Sequence, residues 1–74
     1  MNYRGKIVSD PDILLGKPVI KGTRISVELI LKKLAEGITQ GELLEAYPNL
    51  DRRDIMAVLA YSADVIAAEE FIAS

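Results

Sequence analysis

Pro11, Gly16, Pro18 and Gly22 all fall within the first 25 residues, while no proline or glycine occurs after Pro48. Proline removes a backbone donor and glycine favours turns, so this uneven punctuation keeps helices out of the first third and permits them afterwards. Between the breakers lie short aliphatic runs at Ile7-Val8, Ile13-Leu14-Leu15, Val19-Ile20 and Ile25. The pattern predicts short strands and turns over residues 1–25. Lys21-Gly22-Thr23-Arg24 reads as a tight reversal that uses glycine's access to positive φ. A two-stranded hairpin alone is marginal in water, so it must lie on helices or pair with a second copy.

The first helix starts at Ser26, whose hydroxyl suits an N-cap. Val27, Ile30, Leu31, Leu34 and Ala35 then form one apolar stripe, and Gly37 stops the helix. Glu28 precedes Lys32 by four residues, a favourable exposed pair. A second, short helix has Thr39 and Glu42 as a capping box, Leu43, Leu44 and Tyr47 as its buried face, and Pro48 as its end. Asp51 caps a third helix, with Asp54 in its first turn. There Ile55, Val58, Leu59, Ser62, Val65, Ile66 and Ile72 keep a helical rhythm. From Arg52 to Ile72 nothing breaks the chain, and one helix of that length spans ~32 Å. A domain of this size has a radius of gyration of only ~11 Å. Either the distal part (Val65, Ile66, Phe71, Ile72) projects and packs on another chain, or the helix folds back near Ser62–Asp64.

The 74 residues read as one domain, 1–74, with strands and turns over 1–25 and a helical region over 26–74. The fold class is mainly α: a short N-terminal β-hairpin, then a three-helix, helix-turn-helix-like (homeodomain-like or winged) bundle with a long C-terminal helix. Half of the residues are hydrophobic and none is cysteine or histidine. Disulfides and thiolate or imidazole metal sites are therefore ruled out, and no metal or cofactor is expected. So apolar a composition on so short a chain points to a dimer or a larger partner. No apolar run reaches the ~20 residues of a membrane span, and the N-terminus lacks a signal-like apolar core, so a cytoplasmic protein is expected. The net charge of −2 conceals +4 on residues 1–35 and −6 on residues 36–74. Either the halves attract each other, or one presents cations while the other meets a basic partner.

Three motifs invite chemistry. GKPVIKGT has the look of a phosphate loop, but Lys21-Gly22-Thr23 reverses the required Gly-Lys order, and Pro18 removes a cradle N–H. Asp10-Pro11-Asp12 could suggest a metal, but it more simply marks a turn, and no further ligand completes a site. Tyr3, Tyr47 and Tyr61 suit core positions with the hydroxyl at the rim. No nucleophile sits beside a base, so no enzyme is expected. The second and third helices have helix-turn-helix proportions, which fit either a packing unit or a DNA reader. In the second case Arg52 and Arg53 at the start of the third helix are the DNA contacts, with Lys17, Lys21 and Arg24 as secondary candidates.

The segments DPDILLGKPVIKGTRISVELILKKLAEGIT, ELLEAYPNL and DIMAVLAYSADV, spanning Asp10 to Ala63, closely resemble domain-of-unknown-function family 433. The G-K-P-x-I-x-G-T-R-I-x-V block and the later Y-P-x-L carry the resemblance. It implies a helix-turn-helix-like fold and membership in type II toxin–antitoxin pairs whose toxin is a PIN-like nuclease. Such an antitoxin neutralises the toxin by binding it and can repress its own operon through DNA. The acidic, apolar distal helix (Asp64, Val65, Ile66, Glu69, Glu70, Phe71, Ile72) would then meet the toxin's basic face. Residues 66–74 are the stretch that could wrap a partner. Two rival readings are a stand-alone DNA-binding regulator and a structural module that self-associates through its N-terminal strands.

Overall fold

The structure is a computed structural model that describes residues 3–73, with side chains described over 3–68. Strands β1 (Ile7–Val8) and β2 (Val19–Ile20) precede helices α1 (Val27–Ala35), α2 (Gln40–Ala46) and α3 (Arg52–Ala73). The strands form a two-stranded antiparallel hairpin with Ile7 opposite Ile20 and Val8 opposite Val19.

The reversal at Lys21–Arg24 forms as expected. Gly22 takes φ +81°, and the Thr23 N–H and hydroxyl both donate to the Ile20 carbonyl, at 3.0 and 2.8 Å. The reversal does not join the two strands to each other. It turns β2 back on the chain entering α1, where Ile20 N–H donates to Ile25 O and Val27 N–H to Pro18 O. The wide connection from β1 to β2 holds the Asp-Pro-Asp turn, closed by the Asp12 N–H on the Asp10 carboxylate at 2.9 Å. Ile13-Leu14-Leu15 is not a strand, contrary to its aliphatic character. Leu14, Leu15 and Gly16 take φ of +49°, +59° and +84°, a left-handed turn closed by Gly16 N–H to Ile13 O and Lys17 N–H to Leu14 O. For a leucine this conformation costs about 1–2 kcal/mol per residue.

Caps account for the helix ends. Ser26 Oγ accepts from the Leu29 N–H at 3.0 Å. At the other end of α1, Gly37 (φ +98°) donates to Leu34 O while Ile38 donates to Lys33 O, a Schellman closure. Thr39 and Glu42 complete the capping box of α2. Tyr47 leaves helical geometry (φ −126°, ψ 82°) because the Pro48 ring clashes with a helical residue before it.

Ile20, Val27, Ile30, Leu43, Leu50, Ile55 and Val58 form the core, so the hairpin and all three helices contribute to it. Helix α3 runs through Ser62–Asp64 without a break, with the Ser62 hydroxyl bonded to the Val58 carbonyl at 2.7 Å. Its 22 residues span ~33 Å in a molecule whose longest extent is 40 Å. The radius of gyration, 12.6 Å, exceeds the ~11 Å of a compact chain of this length. Projection rather than fold-back is therefore the geometry adopted. Leu59 departs from its expected place in the apolar rhythm: it is exposed, on the outer side of α3.

Candidate DNA-facing end and apolar groove

At the start of α3 two carboxylates hold the first turn together. Asp51 Oδ1 accepts from the N–H groups of Arg53 (2.7 Å) and Asp54 (3.1 Å), and Asp54 Oδ2 accepts from the Asp51 N–H (3.0 Å). The donated Asp54 N–H is the main reason the Asp51 carboxyl is held below the usual carboxylate range; burial opposes it, and the Arg53 N–H and nearby cations add to it. Asp54 is buried, and its other oxygen meets the Lys6 ammonium at 3.2 Å.

Lys6 thereby ties the hairpin to α3. Its own carbonyl accepts the Lys21 N–H at 2.8 Å, so Lys6 links the backbone at Lys21 to the first turn of α3. Lys21 and Arg24 on the reversal, and Arg52 and Arg53 at the start of α3, are all exposed. Arg53 leans toward Asp51 at 3.7 Å, while Arg52 forms no ion pair among the described residues. Lys6 pairs with Asp54 and Arg53 with Asp51, so of the two arginines Arg52 is the one without a carboxylate partner among the described residues. Lys17 does not join this group. It precedes β2 at the opposite end from the reversal and pairs with Glu28 at 3.2 Å. Glu28 is thus drawn to Lys17 rather than to the expected Lys32, since a side chain folded over from the β2 approach competes with the helical neighbour.

The second feature is a groove of about 320 Å³ between α1 and α3. Pro18, Val27, Leu31, Tyr61, Val65 and Ile66 line it, with Glu28 at the rim. Val65 and Ile66, expected from the sequence to meet a partner, are 38 % and 52 % exposed. The remaining expected partner-facing residues, Glu69, Glu70, Phe71 and Ile72, lie outside the residues whose side chains are described. Asp64 is engaged within the chain. The Asp64 carboxylate is the main reason the Tyr3 pKa is raised, and the Tyr3 ring stands edge-on to Tyr61 at 5.4 Å. Beside the groove the left-handed turn carries Leu15 outward at 96 % exposure.

Among the described residues, no group of three or more His, Cys, Asp or Glu could hold a metal ion, and no helix is long and apolar enough to cross a membrane. Sequence reasoning missed Lys6 and the Leu14–Leu15 turn. Lys6 meets a carboxylate 48 residues away, a contact with no local signal. The turn hides because leucine is not a residue that announces positive φ.

The chain is similar to a solved DUF433 member protein from Anabaena variabilis ATCC 29413, with TM-score 0.78 and 28 % identity over 96 % of this chain and 71 % of that one. It is also similar to the uncharacterized protein y4eO of Sinorhizobium fredii (strain NBRC 101917 / NGR234), at 39 % identity over 56 residues. That match covers 76 % of this chain but only 25 % of the relative's length. The model of the family described as "Protein of unknown function (DUF433)" matches residues 7–62, which takes in β1 as well as the block recognised from the sequence, and the chain belongs to that family.

Proposed function

We propose that this chain is a small, non-catalytic DNA-binding regulator. It meets the phosphate backbone with the α3 N-terminus and the Lys21–Arg24 reversal. One observation carries the reading: the Lys6 carbonyl holds Lys21 at 2.8 Å while its ammonium holds Asp54 at 3.2 Å, so one residue joins both cation-bearing elements. Helix α3 supplies Arg52 and Arg53 for phosphate or base-edge contact, and the reversal supplies Lys21 and Arg24 as a wing.

Fluorescence anisotropy with the chain's own upstream duplex and an unrelated duplex tests it. Wild type should bind with log K falling linearly in log salt. R52A/R53A should flatten that slope by about 2, since each lost phosphate contact contributes ~0.9. K17A should leave the slope unchanged. Absence of binding at low salt overturns the reading, as does an effect carried by Lys17 alone.

A second reading has its own support in the outward-facing Val65 and Ile66. In it the chain is the antitoxin of a type II pair, and distal α3 occupies a PIN-like nuclease. Copurification of the chain with the product of the adjacent reading frame tests this. Recovery of no nuclease partner counts against it.

A further inference from the structure

Among the described residues, Leu14, Leu15, Val65 and Ile66 are apolar side chains left more than one-third exposed. From Ile55 to Ala68, α3 carries a single charged residue, Asp64. A helix so uniformly apolar is normally covered on more than one side, yet here Val65 and Ile66 face outward over the groove.

We propose that a second copy of this chain covers the groove, in a two-fold dimer where the Leu14–Leu15 turn of each protomer seats in the α1–α3 groove of the other. The protruding turn and the cavity adjoin, because Lys17 beside the turn pairs with Glu28 at the groove at 3.2 Å. The hollow lined by Leu14, Leu15, Lys17 and Ser26 adjoins the groove lined by Pro18 and Val27, the next residues in the chain. A surface bearing both a knob and its socket is self-complementary, and a two-fold axis between them satisfies both at once. Charge agrees with this arrangement. Lys17 stands at the base of the knob and Glu28 at the rim of the socket, so the pair they form within one chain can also form across the axis. The backbone agrees too: a leucine held at φ +59° and 96 % exposed makes no use of its side chain within its own protomer.

Sedimentation equilibrium over a concentration series, without DNA, tests the proposal independently of the DNA-binding reading. Wild type should be a reversible dimer. L15D and I66D should each remain folded by circular dichroism and weaken the dimer more than about tenfold, the size expected for an anchor side chain. L15G should be at least as well folded, because glycine takes this φ readily, and should still dissociate. Because the chain has no cysteine, mixing L15C with I66C chains should give an intermolecular disulfide between unlike copies in preference to like ones. A wild type that is monomeric throughout overturns the proposal. So does a dimer that survives both L15D and I66D. Capture of a PIN-like nuclease in the groove by a chain that otherwise stays monomeric also overturns it, by assigning another occupant.

Discussion

Ser26 illustrates how local chemistry acts through single atoms. Its hydroxyl satisfies the Leu29 N–H, while the residue itself is buried beneath the turn into α1. Ser26→Ala removes that acceptor and should cost about 1 kcal/mol. Thermal denaturation should show a midpoint lower by about 4–8 °C for a domain this small. Asp51 makes a prediction in pH. Its carboxyl is held below its ordinary value in the folded state, so the stability it contributes is fully present above the unfolded pKa and is lost as pH falls through the folded one. Asn at this position can still accept the capping N–H groups but carries no titrating charge. The midpoint difference between wild type and D51N should therefore shrink as pH is lowered from about 5 toward about 3. Both caps were readable from the sequence, because capping depends on residues two or three positions apart.

The elements are held to each other by pairings that lack any such proximity. Lys6 and Asp54 join the hairpin to α3 through a half-exposed ammonium and a buried carboxylate. Fully exposed pairs contribute under about 1 kcal/mol, and stripping the partner from a buried charge costs about 3–5 kcal/mol. K6A lies between these limits and should lower stability by about 1–2 kcal/mol. Hydrogen exchange should speed up most in β1 and the first turn of α3, where the tie is lost. Helix type, caps and the Schellman end of α1 were legible in chain order. The partner of Glu28 was not: its helical neighbour Lys32 is the local expectation, while Lys17 reaches it only once β2 packs beside α1. The Leu14–Leu15 turn was hidden for a different reason. Its left-handed backbone is imposed by the surrounding turns against leucine's own preference.

At the scale of the whole molecule the core is small, and its largest fully buried side chains are Ile30, Leu43, Ile55, Val19 and Val58. A chain of this length has a total stability of about 4–11 kcal/mol. Ile55→Ala should cost about 2–5 kcal/mol, a large share of that total read as a lower denaturation midpoint, whereas Ile55→Val costs about 1 kcal/mol. If the groove is covered by a second copy, folding is linked to association and the thermal midpoint should rise with protein concentration. L15D should abolish that concentration dependence without abolishing cooperative melting.

By itself the sequence determined where helices could start and stop, that strands had to precede them, and that no disulfide or histidine site could exist. Those properties reside in neighbouring residues and in residue counts. Only the tertiary structure decided which charges meet. Lys6 joins Lys21 on the hairpin to Asp54 on α3, while Lys17 is paired with Glu28. The same structure decided that α3 runs on without a break and that Leu15 is exposed. Each of these is set by packing between segments far apart in the chain, whose mutual positions no local pattern encodes.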